Sequence, residues 1–276
     1  MALSIEEMQS KAKILRRHII EMISAANSGH AGGSLSAVEI ITALYFHELR
    51  HDPKNPDWSE RDRFILSKGH AAPVLYAALA EAGYFPMSEL YTLRKMDSRM
   101  QGHCDVLTTP GIETSSGPLG QGLSFGIGCA IAARLDKRDW RVYVLLGDGE
   151  LDEGQVWEAA MSAAHFSVDG LKLDNLVAII DRNGIQLDGW TRDIMDTEPL
   201  AQKWRAFGWH VTEIGGHDFG QIIAAFDKAK SIKGKPTVII AKTVKGKGVS
   251  FMENKAEFHG KPPTKEQAAQ ALKELE

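Results

Sequence analysis

Residues 142–154 read VYVLLGDGELDEG, a short run of strand-forming residues that passes directly into Gly147-Asp148-Gly149. Val and Leu favour a strand here. Glycines on both sides of Asp148 let the backbone turn tightly and let a bulky anion come close. A second run, LVAII at 176–180, ends in Asp181-Arg182-Asn183-Gly184. Short Val/Ile-rich runs recur at 209–214 and 237–241, and helical stretches at 154–165, 197–206 and 219–230 alternate with them. This alternation predicts an α/β fold, a mostly parallel sheet covered by helices on both faces. Ligands of such sheets sit beyond the carboxyl ends of the strands. Asp148 and Asn183, 35 residues apart, would meet there from consecutive strands. One carboxylate and one amide oxygen form a hard-oxygen set suited to Mg²⁺ or Ca²⁺, with positions left for phosphate and water. The plainer alternative is that GDG is an ordinary turn and Asn183-Gly184 a loop signal.

Upstream, Ser4 to Ala26 has the pattern of an amphipathic helix stopping at Asn27-Ser28-Gly29. Ser36-Ala37-Val38-Glu39 matches a capping box and predicts a second helix running on to Leu49. Residues 63–66 read as a short buried strand, followed by a helix through Ala82. Gly120 to Leu135 is rich in small residues and predicts a helix packed close to a neighbour. Residues 264–275 open with Thr-x-x-Gln and predict a capped final helix. No internal linker interrupts the pattern, so residues 1–276 are read as one domain.

Composition narrows the function classes. The chain is 43% hydrophobic and 25% charged, with a net charge of -4, which is ordinary for a globular protein. No basic block or polybasic tail points to nucleic acid or a membrane surface. Apolar runs such as LVAII are too short to span a bilayer, and no apolar signal core opens the chain. A cytoplasmic location is expected. Cys104 and Cys129 are the only cysteines, which argues against a disulfide framework or a thiolate metal site.

Five of the ten histidines adjoin a glycine: His30, His70, His103, His217 and His259. Imidazoles in such loops can approach a ligand, hydrogen-bond to it and move protons near neutral pH. His217 is set aside because Gly216-His217-Asp218 resembles a helix entry capped by Asp218. His18, His47, His51, His165 and His210 are read as structural or solvated. None of the five glycine-flanked histidines has the His-x-x-x-His spacing of a zinc pair. Ser116 to Gly122 (SGPLGQG) has the look of a dinucleotide fingerprint, but TTPGIETS before it is no strand, so that reading fails its context. Lys245-Gly246-Lys247-Gly248 is a basic glycine loop that could meet a phosphate or could be a solvated turn.

Together, SGHAGGSLS, RFILSKGHAAPVLYAALAEAGYF, QGHCD, SSGPLGQGLS, GDGELDEGQVWEAAM, NLVAIIDRNGIQLDG, KWRAFGWHV and AKTVKGKGVSFMENKAEFHGKPP resemble the diphosphate-binding, N-terminal part of the transketolase family over nearly the whole chain. The resemblance implies Mg²⁺–thiamine diphosphate (Ca²⁺ or Mn²⁺ serving as alternatives), with Asp148, the Asn183 side chain and the Ile185 carbonyl on the metal. It places Gly149 at the diphosphate, Lys68, His70 and Lys245 as its polar neighbours, and Gly117 and Leu119 near the aminopyrimidine. His30, His103 and His259 match histidines that contact the sugar and assist proton transfer. Glu153 and Glu158 match glutamates linking paired active sites across a subunit interface. Ala31 and Cys104 stand where family members commonly carry proline, which alters loop shape rather than chemistry.

The implied reaction moves a two-carbon ketol unit from a ketose (phosphate) to an aldose (phosphate). Complete transketolases are more than twice as long, and their cofactor-activating glutamate lies in a pyrimidine-binding domain that follows this one. The chain is therefore similar to the N-terminal subunit of split transketolases. It is expected to be silent alone and to act with a partner subunit carrying the pyrimidine-binding and C-terminal domains, two copies of each. Two rival readings are a component of another thiamine diphosphate enzyme, such as a deoxyxylulose-phosphate synthase, and a non-catalytic cofactor-binding scaffold.

Overall fold

The structure, a computed structural model, describes residues 2–276. Helices α1 (Ile5–Ala26), α2 (Ala31–Ser36) and α3 (Val38–Ala43) come first, then strand β1 (Arg63–Leu66) and helix α4 (Ala72–Ala82). Helix α5 (Gln121–Leu135), β2 (Val142–Gly147), α6 (Gly154–His165) and a two-strand hairpin, β3 (Ser167–Val168) and β4 (Leu171–Lys172), follow. The remainder is β5 (Leu176–Arg182), α7 (Thr191–Ile194), α8 (Leu200–Ala206), β6 (His210–Gly215), α9 (Phe219–Ser231), β7 (Thr237–Lys242) and α10 (Lys265–Glu274). The main sheet has the order β1-β2-β5-β7-β6, and every pairing in it is parallel.

Strand periodicity explains why both faces are covered. Side chains alternate across a strand, and all residues of β2 are buried. Tyr143 and Leu145, with Val177, Ile179, Ile239 and Ala241, pack into a core with α1, α3, α4 and α9. Val142, Val144 and Leu146, with Ala178, Ile180, Val238 and Ile240, pack into a second core with α5, α6 and α8. Each fully buried aliphatic side chain contributes about 1.5–3 kcal/mol relative to exposure, so the paired cores hold the three central strands rigidly. Their registers place Gly147 beside Asp181 and Asp181 beside Ala241. The carboxyl ends of β2, β5 and β7 therefore stop at one level, and the loops beyond them share one floor.

Caps mark the ends of the first and last long helices. Ser4 and Glu7 form a complete capping box on α1, as do Thr264 and Gln267 on α10. The expected box at Ser36–Glu39 does not form. Helical turns start earlier, at Ala31, break at Ala37, and widen over Leu44–Glu48. The Ser36 hydroxyl instead donates to the Asp181 carboxylate at 2.5 Å. Glu39 accepts from Arg16 at 2.7 and 2.9 Å and pairs with His217 at 2.8 Å. Three long-range partners outcompete a local cap. The helix expected from residue 197 begins at Leu200, after Pro199, and the β3–β4 hairpin has no sequence expectation behind it.

The small residues of α5 let it lie against the sheet edge at β1 and β2. A Cβ on Gly122 would lie 2.5 Å from Ser67 Cβ and 2.8 Å from its Cα, whereas one on Gly128 would meet nothing within 4 Å. Gly122→Ala should therefore destabilise by about 1–3 kcal/mol through overpacking. Gly128→Ala, mid-helix and unobstructed, should stabilise by roughly 0.5–1 kcal/mol. Urea unfolding of the two variants checks the opposite signs.

Candidate functional site

A cavity of about 160 Å³ opens at the carboxyl edge of the sheet. Lys68, His70, Leu119, Asp148, Gly149, Asn183, Ile185, Lys245 and His259 line it. These residues come from separate segments of sequence, and the parallel sheet delivers most of them because their loops leave strands at the same end.

The floor is a buried charge cluster. Asp181, fully buried at the end of β5, receives Lys68 Nζ, Ser36 Oγ and Thr243 Oγ1. Burial alone would raise its carboxyl, but Lys68 and the two hydroxyls hold it below the ordinary carboxylate range. Lys68 also donates to the Gly33 carbonyl at 2.8 Å. Beside it, Glu150 is buried and accepts from Ser67 Oγ, Gly120 N–H at 2.8 Å and Gly147 N–H at 3.0 Å. Neither Asp181 nor Glu150 has a role in the sequence reading. An acid at the end of an entirely apolar strand was the available signal for Asp181, since a lone buried carboxylate demands a partner.

Above the floor, Asp148 accepts from Gly149 N–H at 3.0 Å and from Gly184 N–H. Burial, then the nearby Asp181 charge, pushes its carboxyl up to about 6. Asn183 Oδ1 accepts from Ile185 N–H at 3.1 Å, and the Ile185 carbonyl accepts from Lys245 Nζ at 2.9 Å. One carboxylate, one amide oxygen and one carbonyl thus gather at one wall of the cleft, and no group of three His, Cys, Asp or Glu among the described residues could hold a metal otherwise. This donor set fits a hard divalent cation such as Mg²⁺ and not zinc. It also fits electrically, because a cation would relieve the cost of ionising a buried Asp148. Gly149 abuts Gln186, whose Cβ lies 2.6 Å from where a Gly149 Cβ would be, so any side chain there would block the turn.

The rim carries the four histidines singled out from the sequence. Ring centroids of His30 lie 5.4 Å from His70, 6.2 Å from His103 and 5.5 Å from His259, and His70 stacks on His259 at 4.9 Å. Lys245 Nζ lies 2.8 Å from His259 Nδ1. Burial, then Lys245, lowers His259 to about 3. His30 falls to about 4 through burial, then Arg94, His103 and Lys245. His70 is held well below its ordinary value by burial and by Lys68. Lys245 itself drops to about 8 from burial and the adjacent Lys68. Burial leads each of these shifts and the neighbouring cations add to it; two lysines beside uncharged imidazoles favour an anionic ligand. Arg94, another rim residue, is absent from the sequence reading.

The structure does not bring Glu153 or Glu158 into this cluster. Both are exposed, Glu153 just before α6 and Glu158 within it. Gly117 lies near His103, 3.7 Å from a Cβ position to the ring. His217 bridges Glu39 and the Val244 N–H, while Asp218 caps α9 as expected.

Comparison with known proteins gives this geometry a family. The family model of the transketolase thiamine diphosphate binding domain matches residues 7–275. A 6-deoxy-6-sulfo-D-fructose transketolase subunit from Clostridium sp. (strain MSTE9) is 47% identical over 270 residues, covering 98% of this chain and 96% of that protein. An apulose-4-phosphate transketolase subunit from Actinobacillus succinogenes is 47% identical over 278 residues, covering 99% and 97%. The crystal structure of transketolase from Campylobacter jejuni superposes with a TM-score of 0.91 at 35% identity, covering 99% of this chain but 43% of that one. The chain belongs to the transketolase family, and it comprises the family's thiamine diphosphate binding domain. It spans less than half the length of the single-chain transketolases it matches. Among the described residues, no helix is long and apolar enough to cross a membrane.

Removing the charge of Asp181 would strand Lys68, which is only 1% exposed. Breaking one side of a buried pair costs roughly 3–5 kcal/mol. Asp181→Asn should show that loss in chemical denaturation, even though it preserves shape.

Proposed function

We propose that this chain is the cofactor-binding subunit of a transketolase, moving a two-carbon ketol unit from a ketose (phosphate) to an aldose (phosphate) once a second polypeptide completes the site. The observation that carries this reading is the single cleft in which the Asp148–Asn183–Ile185 oxygens, two lysines and four histidines converge. Thiamine diphosphate, when bound, supplies the electron sink for C–C cleavage.

The protein's own groups divide the remaining work. Asp148, Asn183 and the Ile185 carbonyl would hold Mg²⁺. Gly149 would let the diphosphate approach, with Lys68, His70 and Lys245 as its polar neighbours. Gly117 and Leu119 would adjoin the aminopyrimidine. His103 and His30 hold the ketol hydroxyls, and His259 orients substrate or moves its proton. Neutral imidazoles suit this task, since each can donate one hydrogen bond and accept another.

Partner dependence is supported by the relatives of equal length that are named as subunits. Exposed Phe125, Met161, Leu187 and Met195 offer apolar surface for a partner. Glu153 and Glu158, exposed by α6, are proposed to link paired sites in an assembly of two copies of each subunit in the cytoplasm. The sugars named for those two relatives differ, so the chain's own pair is to be assayed rather than assumed.

Two measurements test the reading. Isothermal titration of the assembled enzyme should show metal-dependent thiamine diphosphate binding that Asp148→Ala abolishes; unchanged affinity would remove Asp148 from the metal site. A ketol-transfer assay with Mg²⁺ and thiamine diphosphate should give turnover with the partner subunit and none without it. Robust turnover by the isolated chain would overturn the subunit reading.

A further inference from the structure

Two imidazoles at the rim meet a cation in the same way. Lys245 Nζ lies 2.8 Å from His259 Nδ1, and Arg94 Nη2 lies 3.3 Å from His30 Nδ1. A guanidinium has donors and no acceptor, so His30 Nδ1 must accept and cannot carry a proton. The ring proton then sits on Nε2. That nitrogen lies beside Gly260, 3.6 Å from where a Cβ there would stand.

Arg94 is built into place for this contact. Its backbone is left-handed, at φ 57°, a region that non-glycine residues adopt rarely and that clusters at functional positions. Its N–H is anchored on the Met100 carbonyl at 2.8 Å, and its Nη1 donates to Ser28 Oγ at 2.7 Å. The guanidinium lies against Gly102, whose Cβ would come within 2.8 Å of Nε. Among the described residues it makes no ion pair with a carboxylate, although Arg99 nearby pairs with Glu89 at 2.9 Å. An exposed arginine held in a strained backbone, on a glycine, without an acid, is spent on Ser28 and His30.

We propose that Arg94 is a positioning residue that locks His30 as the neutral Nε2–H tautomer, so that the ring presents a hydrogen-bond donor to a substrate oxygen. Lys245 does the same for His259, which makes two matching donors on adjacent rings whose centroids lie 5.5 Å apart. The charged and titratable groups facing His30 are Arg94, Lys245, His103, His70 and His259; burial first, then Arg94, His103 and Lys245, disfavour its protonation. The lock itself stands on the contact geometry; only the identity of the oxygen it meets, a ketol hydroxyl, rests on the ketol-transfer reading.

Long-range ¹H–¹⁵N spectra of the histidine-labelled chain test it, with the His30 signals assigned by a His30→Gln variant. The expected wild-type pattern is an Nε2–H ring that stays neutral well below the ordinary histidine midpoint. Arg94→Met should produce tautomer exchange and raise that midpoint by about one unit or more, while His259 keeps its pattern. Gly102→Ala, which displaces the guanidinium without removing its charge, should also release the tautomer. His30 signals identical in wild type and Arg94→Met would overturn the proposal. In the assembled enzyme, the acid limb of kcat/KM should move to higher pH in Arg94→Met and return partly in Arg94→Lys. A wild-type assembly without ketol transfer, but with the spectral change intact, supports the lock and sinks the functional reading alone.

Discussion

The buried contact between Lys68 and Asp181 is the constraint around which the site is built. Asp181 lies near the end of β5, Lys68 follows β1, Ser36 ends α2 and Thr243 follows β7, so one carboxylate ties four chain segments together. A buried ion pair adds little net stability, because desolvating both charges consumes most of the Coulombic gain. Its value is geometric: each partner has one low-energy position. Asn183 lies two residues beyond Asp181, and the Asp148 N–H reaches the Asp181 carbonyl at 3.3 Å. The oxygens proposed to hold a metal are therefore placed by a pair that need not touch it.

That arrangement explains what could be read from the sequence. The α/β class followed from β2, β5 and β7, whose apolar runs are long enough to show burial on both faces. Asp148 and Asn183 were legible because glycines mark each strand end and parallel sheets gather such ends at one edge. His30, His70, His103 and His259 lie far apart in the chain, and their glycine neighbours set them apart from histidines read as structural; the fold then brought them together. Ser36 and Glu39 were misleading for a physical reason. Their spacing satisfies a local rule, yet Asp181, Arg16 and His217 offer stronger charge-assisted partners inside the fold. Arg94 carried no signal, since neither a left-handed backbone nor an unpaired guanidinium is visible in a sequence of ordinary loop residues.

Charge in the cleft is layered. The floor is dry and compensated, with Asp181 against Lys68 and Glu150 against a hydroxyl and two backbone donors. The middle holds Asp148 and Lys245, each displaced toward neutrality, Asp148 to about 6 and Lys245 to about 8. The rim is imidazole, kept uncharged by burial and by cations on both sides. Lys245 occupies the junction: its ammonium donates to the Ile185 carbonyl below and meets His259 above.

This layering makes anion attraction and proton handling aspects of one field. The cations that favour an anion in the cleft are the same ones that add to burial in lowering His30, His70 and His259. Any dianionic group seated among Lys68, Lys245 and His70 would weaken that field and raise all three histidines together, since opposite charge favours the protonated ring. Arg94, a second cation on His30, would be less affected by such compensation and would continue to hold its ring neutral. His259, whose cation is Lys245 itself, would be released first. Two histidines of like tautomer thus acquire different proton affinities once the cleft is filled, which is the asymmetry needed if one is to hold a hydroxyl while the other moves its proton.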